Sequence, residues 1–309
     1  MSKKKISYLC IGLGVLSALI FATASFVHDP KDTQKSSQSE DSILVVSKQV
    51  YIPKSVTLFG ERVPLEYYDV YESLERELLV NTFYQSQTTQ ILQYKHRYFP
   101  IIDSILKANN IPEDFRYLAV AESNLRVNIS PKGAAGFWQI IESTAKQYGL
   151  TVNDEVDQRY DLIKATEVAC KYFQNAYKKF GNWTMAAASY NLGIGGLAKQ
   201  AGFQGITSFY DLYTNSETSR YVFRIMSFKL ILENPELYGY KDIEPYPTIK
   251  QKIVEVDTSI SNLAEFARSQ GSNYKMLKTL NPWLRDKKLT NKDSVLYKII
   301  LVEDKERLR

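Results

Sequence analysis

Two cysteines in 309 residues leave little sulfur for redox or metal chemistry. Cys10 lies in an N-terminal apolar run and Cys170 inside an Ala-rich helical pattern. Neither belongs to a metal-binding or disulfide signature, and Cys170 reads as a small buried core residue. An excess of one charge is also lacking. Lys and Arg number 39 against 34 Asp and Glu, a formal net charge of +5. That suits solubility or mild attraction to an anionic polymer and is too weak for a nucleic-acid surface. The glycine run Gly193, Gly195, Gly196 lacks the preceding strand and the Lys of a phosphate loop, which excludes nucleotide binding of that kind.

What is present describes a globular chain with a real core. Hydrophobic residues make up 44% and charged residues 24%, and the length allows one or two domains. Tyr is abundant, at 22. Its flat ring with a polar tip serves helix packing or a groove that stacks sugar faces. At the N-terminus, Lys3-Lys4-Lys5 precede an apolar stretch from Ile6 to Val27. This is a signal peptide, cut after Ala24, or an uncleaved membrane anchor. Either sends the remainder out of the cytoplasm, and Cys10 falls too early in the run to carry a lipid. The following segment is rich in Ser, Lys, Gln and Asp and reads as a flexible spacer.

The pattern from Pro64 to Tyr98 is helical, with Leu74, Leu78 and Leu79 on one face. A second amphipathic helix is expected to start at Ile101 and end at Asn109-Asn110. Pro112-Glu113-Asp114 then opens a helix, since Pro suits a first turn and acids suit its positive end. That helix holds Leu118, Ala119, Val120 and Ala121 around one carboxylate, Glu122, with no Lys or Arg in the preceding turn. An apolar wall disfavours the charged form and raises the pKa, as a general acid near neutral pH requires. The competing reading is a Glu on the polar edge of an amphipathic helix.

Gly133-Ala134-Ala135-Gly136-Phe137-Trp138-Gln139-Ile140 follows a breaker-rich loop. Two glycines three apart let the backbone pass close to something else. Trp138 and Gln139 pair an apolar plate with an amide, which suits a sugar; a tight turn that buries Trp138 is the plainer alternative. Asp157 and Asp161 flank Arg159 and read as a helix entrance held by local ion pairs, with Asp161 as N-cap. A small-residue helix then brings Tyr190 and Asn191 to its end, and a last long helix runs from Glu217 to Glu233, stopped by Asn234-Pro235.

Ala121-Glu122-Ser123, Gly133 to Gln139, Ser189-Tyr190-Asn191-Leu192-Gly193 and Glu217 to Val222 stand in an order and spacing that resemble lytic transglycosylases of glycoside hydrolase family 23, of the membrane-bound D type. Gly60-Glu61-Arg62-Val63-Pro64 is similar to that subtype's helical pre-region. Ser189 departs from the usual Ala. The resemblance implies a goose-lysozyme-like, mainly α catalytic domain that cleaves the β-1,4 bond between N-acetylmuramic acid and N-acetylglucosamine in peptidoglycan, leaving 1,6-anhydromuramic ends. It makes Glu122 the catalytic acid and base. It places Ser123, Gln139, Tyr190, Asn191, Glu217 and Tyr221 along the glycan groove, and it implies no metal and no organic cofactor.

Pro245-Tyr246-Pro247 breaks the chain, and a strand, helix, helix, strand pattern follows. This resembles a LysM module, a binder of N-acetylglucosamine, with Val256-Asp257-Thr258 in place of the usual Gly-Asp-Thr turn. A small packing domain without a ligand fits the same pattern. The expected organisation is a signal peptide or anchor at 1–27, a linker at 28–49, a helical lysozyme-like catalytic domain at 50–244 and an α+β (βααβ) LysM-like domain at 245–309. The expected partners are peptidoglycan strands and, through the N-terminal segment, the membrane; nucleic acid is not one. Two other functions fit parts of the pattern: a wall-binding protein with a dead groove, and a lysozyme-type hydrolase. The hydrolase needs a second carboxylate placed for water.

Overall fold

A computed structural model describes residues 49–307. The expected signal peptide or anchor and nearly all of the linker lie outside the described residues. Among the described residues, no helix is long and apolar enough to cross a membrane.

A short antiparallel pair, β1 (Thr57–Leu58) and β2 (Glu61–Arg62), precedes the helices α1 (Tyr68–Phe83), α2 (Gln85–Ala108), α3 (Arg116–Ser123), α4 (Glu142–Gln147), α5 (Leu162–Phe180), α6 (Trp183–Leu192), α7 (Ile194–Gln204) and α8 (Ser216–Glu233). The first break differs from expectation. It falls at Tyr84, while Pro100 lies inside α2, which runs unbroken to Ala108. Helix ends leave carbonyls unpaired. Here the Thr88 hydroxyl donates to Asn81 O at 2.6 Å and the Tyr240 hydroxyl to Thr82 O at 2.6 Å, so stopping α1 at Phe83 leaves those groups satisfied. At Pro100 the helix forgoes a single backbone donor and continues.

The later helices begin where side chains accept their free N–H groups. Asp161 accepts from Ile163 N and Lys164 N, Asn182 from Met185 N, and Asn215 from Glu217 N and Thr218 N. The Glu61 carboxylate in β2 reaches across the fold to accept from Trp183 N at 2.6 Å and Thr184 N at 2.9 Å, so the pre-region anchors the start of α6. Gly181, at φ 77°, closes α5. Leu74, Leu78, Ile102, Leu106, Phe115, Leu118, Phe173, Cys170 and Ile225 are fully buried in one core, and α1 and α3 both pack on α8.

A smaller unit closes the chain. Strands β3 (Lys252–Val256) and β4 (Tyr297–Leu301) pair antiparallel from Lys252↔Leu301 to Val256↔Tyr297, with α9 (Leu263–Ser269) and α10 (Tyr274–Leu280) between them in sequence. Its core of Leu263, Leu277, Trp283, Leu284 and Ile299 is completed by Ala135, Val156 and Tyr160 from the helical body. The Pro245–Pro247 break is strapped to α2, with Tyr246 N donating to Gln93 O at 3.1 Å and Arg97 to Pro247 O at 2.9 Å.

Candidate active site

Glu122 occupies the last turn of α3, among side chains that the 3.6-residue repeat turns inward: Leu118, Ala119 and Val120 are fully buried. Glu122 itself is only partly exposed. The helix ends beside it at Asn124, in the left-handed region at φ 55°, and Leu125 follows at φ 57°. A left-handed β-carbon-bearing pair is strained unless its surroundings hold it. The Asn124 amide is held by Gln87 Oε1 at 3.0 Å, and Leu125 is locked in the core.

The phenol of Tyr221 in α8 donates to Glu122 Oε1. Loss of water around the Glu122 carboxyl pushes its pKa up to about 7, and the nearby charge of Glu217 adds to this. The Tyr221 hydrogen bond and the positive charge of Arg224 oppose that rise. Tyr190, from the end of α6, borders the same carboxyl. Burial, then the Glu122 charge, push the Tyr190 and Tyr221 phenols well above the usual tyrosine range. Both therefore remain protonated donors. Tyr190 directs its hydroxyl to Trp138 O at 2.8 Å, tying α6 to the Gly133–Ile140 loop.

That loop depends on two glycines in different ways. Gly136, at φ 80°, passes so close to the Arg159 backbone that a Cβ would lie 1.9 Å from Arg159 O. Gly133 has open space around it and serves only its φ of 78°. Trp138 is fully buried, with its indole N–H donating to the Thr166 hydroxyl at 2.8 Å, so it is a core residue and not a sugar plate. Gln139 stays partly exposed at φ 46°, its amide turned back to Gly136 O at 2.8 Å and Asn128 O at 3.2 Å.

Asn191 links the two remaining elements. Its amide N–H donates to Glu217 Oε1 at 3.0 Å, and its amide oxygen accepts from the Thr218 hydroxyl at 2.7 Å. Glu122, Tyr190, Asn191, Glu217 and Tyr221 are thus connected through hydrogen bonds or shared charge, whereas the Gln139 side chain bonds only to backbone carbonyls at Asn128 and Gly136. Ser123 stands apart from them. It is 2% exposed and its hydroxyl donates to Ala119 O at 3.1 Å, because the helical register turns position 123 into the core. Of the other acids, Asp157 is buried on Arg159 at 2.7 Å and Asp161 caps α5, so neither is free to position water.

Two participants escaped the sequence reading. Arg224 bears on Glu122, and Glu77 of α1 is buried against Arg220 at 2.6 Å and Arg224 at 3.7 Å. The spacing Glu217, Arg220, Tyr221, Arg224 marks one face of α8 and is the signal that could have found the arginines. Among the described residues no group of His, Cys, Asp and Glu is arranged to hold a metal ion.

Residues 99–211 match the model of the transglycosylase SLT domain, and residues 252–305 that of the soluble lytic transglycosylase C-terminal LysM-like domain. The chain is 31% identical over 185 residues to membrane-bound lytic murein transglycosylase D of Escherichia coli K12, an alignment covering 57% of this chain and 40% of that protein. It therefore spans well under half the length of that curated relative. Among solved structures, the 70 kDa soluble lytic transglycosylase of Escherichia coli aligns with a TM-score of 0.39 at 23% identity, covering 45% of this chain and 24% of that one.

Proposed function

We propose, for a chain that carries a transglycosylase SLT domain and a C-terminal LysM-like domain, that it is a peptidoglycan lytic transglycosylase of the cell envelope. The observation that carries this reading is the Glu122 carboxyl, with its pKa pushed up to about 7 and a tyrosine hydrogen bond on Oε1. At neutral pH such a group is partly protonated. It donates a proton to the glycosidic oxygen between N-acetylmuramic acid and N-acetylglucosamine. The substrate's own N-acetyl group supports the cation-like carbon. Glu122, now a carboxylate, takes the proton of the muramyl 6-hydroxyl as that oxygen closes the 1,6-anhydro ring. The nucleophile is tethered, so one carboxylate suffices and no positioned water is required.

In this proposal Tyr221 orients Glu122, while Gln139, Tyr190, Asn191 and Glu217 border the glycan. Ser123 acts from behind, by shaping the end of α3. The N-terminal run from Ile6 to Val27 exports the protein or anchors it, and the domain boundaries are those given by the sequence. Digestion of purified sacculi followed by mass spectrometry tests the reaction. Anhydromuramic ends are expected, and Glu122→Gln should lose at least the ~10²–10⁴-fold that general acid catalysis supplies. Reducing ends from the wild type would identify a hydrolase and no products a dead groove, and either overturns the proposal.

A further inference from the structure

The contact between the helical body and the C-terminal module is a continuation of the active-site loop. The hairpin leading into α5 forms a bridge with the segment after α10: Val156 pairs with Leu284, Asp157 N donates to Trp283 O at 2.8 Å, and Arg285 N donates to Glu155 O at 2.8 Å. The Glu155 carboxylate accepts from Thr290 N at 2.6 Å and from its hydroxyl at 3.1 Å, and pairs with Lys288 at 3.1 Å. The Arg285 guanidinium lies over the Tyr160 ring at 4.3 Å. Ala135, Val156 and Tyr160 are buried with the module's own apolar side chains.

Arg159 connects this contact to the loop that carries Gln139. The side chain is 5% exposed. Its Nε and one terminal nitrogen grip the Asp157 carboxylate at 3.0 and 2.7 Å, and the other terminal nitrogen donates to Gly133 O at 2.8 Å and Ile140 O at 3.3 Å. The backbone of Asp157 is itself bonded to the module, and the backbone of Arg159 fills the space that Gly136 leaves open. A planar fork that joins a carboxylate to two carbonyls fixes both in place. At the far side of the loop, Trp138 O holds the Tyr190 hydroxyl beside Glu122.

We propose that the C-terminal module is a fixed buttress of the active-site loop, and that Arg159 is the positioning residue through which its docking on the Glu155–Tyr160 hairpin holds the Gly133–Ile140 loop in register with Tyr190 and Glu122. This rests on the proposed glycan-cleaving activity. It separates the module from a role as a mere tether, because a tether improves only action on insoluble wall, whereas a buttress serves every substrate.

Full-length variants test it with a soluble glycan oligomer and with amide hydrogen exchange. Glu155→Lys repels Lys288 and removes both acceptors for Thr290, while Glu155→Gln keeps an acceptor and loses only a half-exposed ion pair. Glu155→Lys should lower kcat on the soluble oligomer about tenfold with little change in KM, less than the ~10²-fold that a 1 Å misplacement can cost. Exchange at residues 133–140 should accelerate, and Glu155→Gln should restore both readouts. Arg159→Lys, which keeps the charge and loses the fork, should accelerate exchange at 133–140 while the module stays protected. Wild-type turnover of the soluble oligomer by Glu155→Lys overturns the proposal, as does a loss confined to insoluble sacculi. Unchanged exchange at 133–140 in both Glu155→Lys and Arg159→Lys overturns it as well. Should the wild type cleave no glycan, the proposed activity falls while the exchange measurements still decide the buttress.

Discussion

The Glu122 carboxyl should cost the fold stability as pH rises, and replacing it should return that stability. Its pKa is raised from 4.5 to about 7, so the folded chain holds this proton more tightly than the unfolded chain does. Below pH 4.5 both states carry the proton and the site imposes no penalty. Between pH 4.5 and 7 the unfolded chain releases its proton first, and stability declines. Above pH 7 the folded protein holds a buried anion and the full cost is in place. Holding the carboxyl at about 7 in the fold against 4.5 in the unfolded chain corresponds to roughly 3 kcal/mol. Glu122→Gln does not titrate. Its stability relative to wild type should rise from near zero at pH 4.5 to ~2–3 kcal/mol above pH 7, the lower value allowing for a weaker bond from Tyr221. Urea denaturation of both proteins across this range measures the difference directly, without any substrate. A difference that stays flat with pH, or that falls as pH rises, would refute the burial argument for Glu122 and remove the physical basis for its acid role.

The same shift predicts a descending limb in the pH profile of kcat/KM near pH 7, and Tyr221→Phe should move that limb upward, because the wild-type hydrogen bond holds the Glu122 pKa down and its loss lets the pKa rise. A limb that moves down in Tyr221→Phe contradicts that sign. Gly136→Ala should destabilise the protein by more than ~2 kcal/mol, seen as a lower Tm, since the new methyl meets Arg159 O and the φ is left-handed. Gly133→Ala, with space around it, should cost only the ~1 kcal/mol of its backbone conformation, and equal losses in the two variants would refute the close approach at Gly136.

How much of this was legible depended on how local the causes were. The caps at Asp161 and the stop at Asn234-Pro235 are settled by groups within a few residues, and the sequence pattern found them. The strand, helix, helix, strand pattern of the C-terminal unit likewise announced β3 and β4. The break at Tyr84 was not legible, because the groups that satisfy the end of α1 include Tyr240, 158 residues away. Pro100, which lies between the helical patterns expected to end at Tyr98 and start at Ile101, is tolerated inside α2 because one lost hydrogen bond is small against the burial of Phe99, Ile102 and Leu106. At the candidate site, the apolar setting of Glu122 was readable from its neighbours in sequence, and the grouping of Tyr190, Asn191, Glu217 and Tyr221 with it was expected from motif order. Trp138 remained ambiguous in sequence, since a large plate fits a groove or a core equally; the Thr166 hydroxyl decides for the core. Ser123 adjoins Glu122 in sequence, yet one residue along a helix turns a side chain by about 100°, which carries it away from the Glu122 face into the interior.

The charge environment of Glu122 is the part that no single stretch could reveal. Two arginines, Arg220 and Arg224, stand on either side of Tyr221 on α8. Of these, Arg224 bears on Glu122, and a cation near a carboxylate favours its ionised form. Glu77, 1% exposed, accepts from Arg220 at 2.6 Å and lies 3.7 Å from Arg224, so both guanidinium groups face a carboxylate of their own. The Arg224 charge only moderates the effect of burial. Glu77 lies in α1 and the arginines in α8, both outside the segment from 99 to 211 that matches the SLT domain. The apolar wall around Glu122 and the ion pair of Glu77 with the α8 arginines therefore come from different parts of the chain. The pairing of α1 with α8, made possible by their fully buried Leu74, Leu78 and Ile225, is what brings the two together.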